Sequence, residues 1–254
     1  MIDIHSHILP SVDDGAKTFD DAIEMAKAAV DEGITTIIAT PHHRNGTFEN
    51  EKQSIIEHVY ALNEALQMHH IPLSILPGQE VRIHGELMDH YHDGDILSLA
   101  ETKYVLVELP SNHVPRYTEQ LLFDMQLQGL VPIIAHPERN SELIEHPNKL
   151  YDLVKKGALT QLTAASVAGK FGKNIKKFSL QMIEANLAHL IASDAHNTTT
   201  RAFHLREAYD VIQKQFGSQA VYVFQENAQL LVADDALYKD APERIKKKKF
   251  FGIF

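Results

Sequence analysis

The sequence predicts an α/β domain with a parallel, barrel-like sheet, and three observations carry that expectation. Short β-rich runs alternate with helical stretches through most of the chain, the rhythm of strands joined by crossover helices. With 254 residues and 44% hydrophobic content, the chain is long enough to bury one barrel-sized core. No linker, internal repeat or low-complexity segment divides it before the C-terminus, so residues 1–240 read as a single domain followed by a tail over 241–254.

The elements follow in order. "MIDIH" alternates Ile2 and Ile4 with polar neighbours and ends on His5, with His7 two residues beyond. Thr18 can cap the helix that follows, with Asp21 at its third position; Phe19, Ala22, Ile23, Ala26, Ala29 and Val30 recur at helical spacing before Gly33 stops it. The strand "TTIIAT" comes next. After His42 and His43 a longer helix has Ile55, Ile56, Val59, Leu62 and Leu66 as its apolar stripe. The runs "LSILPGQEV", "YVLVEL", "LVPIIAH", "ALTQLTAA" and "AHLIAS" bring the total to about seven strands.

Composition narrows the function. A net charge of -10 and a pI near 5.9 argue against a broad nucleic-acid surface, whose mark is clustered Lys and Arg. Cysteine is absent, which excludes disulfides, thiolate metal sites and a cysteine nucleophile together. No apolar run approaches the roughly 20 residues of a spanning helix, and no cationic leader with an apolar h-region is present, so a soluble, cytoplasmic protein is expected. The anomaly is histidine, with 16 copies.

Several of these histidines stand, with carboxylates, at strand ends. His5 and His7 end the first strand, His42 follows "TTIIATP", Glu80 follows "ILPGQ" and Glu108 closes "YVLVE". His136 ends "LVPIIAH", while Asp194 and His196 follow "LIAS". In a parallel barrel the C-terminal strand ends converge on one rim, so these side chains are expected to meet there. A single strand-end histidine is more often a hydrogen-bonded, partly buried residue than a ligand. The joint pattern is different, because several unpaired titratable groups on one rim would cost several kcal/mol apiece, as an order of magnitude, unless cations compensated them. Nitrogen and oxygen donors without thiolate suit Mn, Fe or Zn.

The motifs "DIHSHILPSVDDG", "ATPHH", "GQEV", "VELP", "AHPER" and "SDAH", in this order, resemble the polymerase-and-histidinol-phosphatase (PHP) metal-dependent hydrolases. They are most similar to the bacterial PHP tyrosine phosphatases that regulate capsule and exopolysaccharide synthesis. The resemblance covers about the first 210 residues. It implies a distorted (β/α)7 barrel with three divalent ions, manganese first and Fe or Zn as alternatives, at the C-terminal strand ends. By position, His5, His7, Glu80 and Asp194 would hold one ion; Glu80 would bridge to a second held by Glu108 and His136; Asp14, His42 and His196 would hold the third. Asp14 and Glu108 stand where the histidinol-phosphatase branch usually has histidines, a substitution typical of the tyrosine-phosphatase branch. The implied substrate is a phosphotyrosine protein, a bacterial tyrosine kinase, with histidinol phosphate or another small phosphomonoester as the enzyme alternative. A metal-dependent interaction module without activity is a further alternative, which an intact ligand set argues against.

The chemistry follows from that ligand set. A hydroxide bridging two divalent ions would attack phosphorus, while the third ion and nearby arginines clamp the phosphoryl oxygens. Four carboxylates against three divalent ions leave about two positive charges for an anionic substrate. Arg139, three residues after His136, and Arg206, on the helix after "DAH", are the expected phosphate clamps, since a guanidinium binds two oxygens together. Spacing alone also allows a pair of Arg206 with Asp210, and of Arg139 with Glu138 or Glu142; the resemblance favours phosphate.

The tail "RIKKKKFFGIF" sets four lysines before Phe250, Phe251, Ile253 and Phe254, a pattern compatible with contact to an anionic membrane surface or a partner, or with a terminus packed on the domain. The absence of cysteine makes a direct forecast. Exhaustive chelation abolishes phosphatase activity and Mn²⁺ restores it, while thiol alkylation changes nothing; full activity in a verified metal-free sample would overturn the metal requirement.

Overall fold

The computed structural model describes residues 1–246; residues 247–254, which carry most of the lysine and aromatic run, lie outside the described residues. Along the chain run β1 (Ile2–Ser6), α1 (Phe19–Asp31), β2 (Thr36–Ala39), β3 (His42–His43), α2 (Lys52–Met68), β4 (Ser74–Pro77), β5 (Glu80–Arg82) and α3 (Leu87–Asp93). Then come β6 (Tyr104–Glu108), α4 (Thr118–Leu127), β7 (Val131–Ala135), α5 (Ser141–Glu145), α6 (Pro147–Lys155), β8 (Leu159–Thr163) and α7 (Ala164–Ala168). The series ends with α8 (Lys173–Glu184), β9 (Leu190–Ala192), α9 (Leu205–Phe216) and α10 (Ser218–Val232). Helix α1 starts as its sequence predicts: Thr18 accepts from the Asp21 amide, and the Asp21 carboxylate accepts from the Thr18 amide at 3.0 Å.

All strand pairs are parallel, but they form two sheets, β1-β2-β4 and β3-β5-β6-β7-β8-β9. The seven predicted strands are therefore nine segments, because two of them are broken. Between β2 and β3 the chain passes through Pro41, which has no N–H to give a ladder. Between β4 and β5 lies Gly78, where a Cβ would sit 2.6 Å from Ile38 Cγ2 and 3.1 Å from Leu99 Cδ2. The Glu80 amide donates to the Pro41 carbonyl at 3.1 Å, so the two broken lines stay side by side. The expected closed barrel is not formed as one hydrogen-bonded ring among the described residues. Its outer strands, β1 and β9, meet through a single bridge, Ser6 with Ala195, and through two bonds, Asp194 N–H to the His5 carbonyl at 2.9 Å and His7 N–H to the Ala195 carbonyl at 2.8 Å.

Both faces of the strands are buried, as parallel sheets require. Ile37, Val105, Val107, Ile134, Leu162 and Ile191 join the larger apolar cluster with the helices. Their neighbours Ile38, Leu106, Ile133, Leu159 and Leu190 join a smaller one with Ile4, sealed by Leu231 of α10 and by Leu237. Alternate strand residues share a face, so Glu108 lies on the side of Leu106, and Asp194, two residues past Ala192, continues the line from Leu190. This smaller cluster thus floors the functional groups. Past α10, the chain is tied down as far as it is described: the Glu243 amide donates to the Ala185 carbonyl at 2.8 Å, and Arg244 lies 4.3 Å from the Tyr151 ring centroid. No helix among the described residues is long and apolar enough to cross a membrane.

The close approach at Gly78 gives a test. Gly78→Ala pushes a methyl into the Ile38 side chain and is expected to cost about 1–3 kcal/mol, with Tm falling by about 2–4 °C for each kcal/mol. An unchanged melting curve would show that the strand break has slack.

Candidate metal centre

The nine predicted ligands His5, His7, Asp14, His42, Glu80, Glu108, His136, Asp194 and His196 come together at one end of the strands. His5 lies in β1 where the pairing register is irregular, between Asp3 and Ser6. His42 and Glu80 are opposite each other in the β3–β5 pair. His136 and Asp194 follow their strands with positive φ, 31° and 52°. Such backbone is strained for residues other than glycine, and here it turns both side chains inward.

The donor atoms are spaced for cations. His5 Nε2 and His7 Nε2 are 3.2 Å apart, and each lies 3.3–3.5 Å from Glu80 Oε2 and Asp194 Oδ1. Two donors each ~2.1 Å from one ion, at roughly 90–110°, are about 3.0–3.4 Å apart. Three overlapping groups have ligand atoms within 4.8 Å of one another: His5, His7 and Glu80; His42, Glu80 and Glu108; and His7, Asp14, His42 and His196. His136 Nε2 is 2.8 Å from the other Glu80 oxygen. Four buried atoms facing this space, His42 Nδ1, Glu80 Oε2, Glu108 Oε2 and His196 Nε2, have no hydrogen-bond partner. His42 Nδ1 and Glu80 Oε2 are 2.7 Å apart yet misaligned for a hydrogen bond. Unpartnered buried donors of this kind are costly unless a cation binds them.

Electrostatics leads to the same place. Burial alone would raise Glu80 and Asp194, but the surrounding imidazoles hold both carboxyls well below the usual range. Burial would lower His5 and His7, and the carboxylates beside them, Glu80 and Asp194 for His5 and Asp13 for His7, outweigh it and raise both. The carboxylates thus favour positive charge at this point, the charge that divalent cations supply when bound. Glu108 is pushed up to about 7 by burial and by the charge of Glu80. His196 is held down at about 4, chiefly by burial, so its Nε2 stays a lone-pair donor. Its Nδ1 donates to the Asp194 carbonyl at 2.9 Å, and its Nε2 lies 3.3 Å from Asp14 Oδ1.

Arg139 donates to Asp194, not to Glu138 or Glu142. Arg206 is not at the cluster, and the sequence-based placement is corrected here. Its guanidinium donates to the Asp31 carbonyl at 2.8 Å, beside Gly33 and Met1, which lie at the N-terminal ends of β1 and β2. Position on α9 decides this, since the helix begins at the opposite rim from the ligands. The second arginine at the site is Arg201, whose Nη2 lies 3.2 Å from Asp194 Oδ1 and whose Nη1 lies 3.4 Å from Asp14 Oδ2. Asn197 places it: the side-chain Oδ1 of Asn197 accepts from the amides of Thr199, Thr200 and Arg201, and the Arg201 backbone carbonyl accepts from His196 N–H at 2.8 Å. A cavity of about 550 Å³ opens beside the cluster, lined in part by Glu108, His136, Arg139 and Arg201.

Sequence reading also missed residues that hold the imidazoles. His7 Nδ1 donates to Asp13 Oδ2 at 2.6 Å, and His5 Nδ1 to Gln161 Oε1 at 2.9 Å, so both Nε2 lone pairs point inward. Asp13 also accepts from the amides of His42 and Gly15. Asp13→Asn removes the charge behind His7 and is expected to weaken Mn²⁺ binding about 10–100-fold in chelator competition. Wild-type affinity would mean that packing alone orients His7.

Comparisons with known proteins identify the family. Residues 1–233 match the family described as "Capsular polysaccharide synthesis, CpsB/CapC". The tyrosine-protein phosphatase YwqE of Bacillus subtilis (strain 168) is 54% identical over 254 residues, the whole of both chains. The tyrosine-protein phosphatase CpsB of Streptococcus pneumoniae is 30% identical over 243 residues, 93% of this chain and all of the relative. A crystal structure from work on YwqE and CpsB, described there as metal-dependent tyrosine phosphatases, superposes with a TM-score of 0.95 at 53% identity, covering 97% of this chain and 100% of the other. A beta-aspartyl dipeptidase from Fervidobacterium islandicum, at 15% identity and a TM-score of 0.51 over 98% of this chain and 76% of its own, shares only the fold. The chain is a member of the CpsB/CapC family of capsular polysaccharide synthesis proteins.

Proposed function

We propose that this protein is a metal-dependent phosphatase acting on phosphotyrosine in proteins, with a bacterial tyrosine kinase of capsule or exopolysaccharide synthesis as its substrate, in the cytoplasm. The reading includes a PHP-type distorted (β/α)7 barrel and three divalent ions, manganese first. The observation that carries it is one cluster of five imidazoles and four carboxylates beside two arginines and an open cavity.

His5, His7, Glu80 and Asp194 would hold one ion, Glu80, Glu108 and His136 a second, and Asp14, His42 and His196 a third. When bound, the ions supply positive charge that makes water acidic and neutralises phosphoryl oxygens. The chain's own residues do the rest. Asp13 and Gln161 fix the imidazole tautomers of His7 and His5. Arg139 and Arg201, anchored on Asp194 from two directions, present guanidinium edges to the same cavity and grip the phosphoryl oxygens as charge builds in the transition state. Lacking cysteine, the protein cannot form a phosphocysteine intermediate, and this reading assigns attack on phosphorus to water.

Arginine substitutions test this arrangement. Arg201→Ala is expected to lower kcat/KM for a phosphotyrosine peptide by about 10²-fold while bound metal stays constant, and Arg206→Ala to remain near wild type. A peptide phosphorylated on tyrosine should be hydrolysed with higher kcat/KM than a phosphoserine peptide or histidinol phosphate; the reverse order would reassign the substrate. Loss of metal in Arg201→Ala would make that residue a support for Asp14 and Asp194 instead of a phosphate clamp.

A further inference from the structure

The cavity has two kinds of lining. Glu108, His136, Arg139 and Arg201 make its lining charged or titratable in part, and Leu109, Phe171 and Ile175 make it apolar in part. The charged part recognises a phosphoryl group regardless of the alcohol that carries it. The apolar part of the lining is what can contact the ring of an aryl ester.

Phe171 and Ile175 are built for that purpose. Both are half-buried, and neither belongs to or packs against the two apolar clusters of the domain, whereas Leu180, further along α8, does pack on the larger one. Their apolar surface therefore serves the cavity and not the core. Gly169 and Gly172, with φ of 97° and 94°, turn the chain out of α7 and into α8, so that Phe171 projects between two backbone conformations suited to glycine. The Arg139 guanidinium carbon lies 5.5 Å from the Phe171 ring centroid, within cation–π range. Phe171 thus adjoins the Arg139 guanidinium at the cavity.

We propose that Phe171 and Ile175 form the aryl-binding wall that selects phosphotyrosine over phosphoserine, resting on the phosphotyrosine reading above. The second aromatic ring near the cluster, Phe48, lies parallel to the His42 ring, with centroids 6.3 Å apart, and does not line this cavity.

The experiment measures a ratio, kcat/KM for a phosphotyrosine peptide over that for the same peptide carrying phosphoserine. Any disturbance of Arg139 affects both substrates and cancels in the ratio. Phe171→Ala is expected to lower the ratio about 10-fold, Ile175→Ser to lower it less, and Phe171→Leu to recover part of it; Phe48→Ala leaves it near wild type. A ratio unchanged in Phe171→Ala and Ile175→Ser, or lowered only in Phe48→Ala, overturns the proposal. A wild-type enzyme with no preference for phosphotyrosine would instead remove the parent reading, so the two failures are distinct.

Discussion

One buried carboxylate organises the site. Glu80 is fully buried, and its two oxygens lie within 3.5 Å of nitrogens from His5, His7, His42 and His136. An isolated carboxylate at that depth would bind a proton, but four imidazoles, His5 and His7 at β1, His42 in β3 and His136 past β7, keep it ionised. The position of Glu80 in β5 thus ties β1, β3 and the end of β7 to one point. Its backbone completes the tie, pairing with His42 on one side and Leu106 on the other.

The surroundings supply what that carboxylate needs. The strands bury apolar side chains on both faces, and the inner face changes character along its length, from Ile4, Leu106 and Leu190 to Glu108 and Asp194. The apolar part makes a dry, close-packed floor that fixes the polar part, because it leaves no room for side chains to retreat. Arg139, Arg201 and Arg82 then rim the carboxylates and moderate the charge.

Much of this was legible in the sequence. Short β-rich runs marked the strands, and residues of metal-binding type at their ends marked eight of the nine candidate ligands; Asp14 came only from the family resemblance. What escaped had physical reasons. Asp13 is next to Asp14 and identical to it in kind; only the loop's turn decides which carboxylate faces His7 Nδ1. Arg206 looked suitable because it follows "DAH" on a helix, but Asn197 folds the intervening residues back on themselves and brings Arg201 to the site instead. The signal for that turn, an Asn followed by three threonines, is present in the sequence. The broken strands at Pro41 and Gly78 depend on a tertiary approach of backbone to side chain, and only their residue types hinted at it.

The seam between β1 and β9 has a consequence for how the molecule comes into being. Ser6 and Ala195, bridged there, are 189 positions apart in the chain. A contact of such sequence separation costs loop entropy before it returns any stabilisation. During synthesis, the other seven candidate ligands emerge before Asp194 and His196, so the early chain carries an incomplete centre. The last two arrive with the last strand, at the seam. Topology alone thus makes the centre complete only once both ends of the strand order are in place.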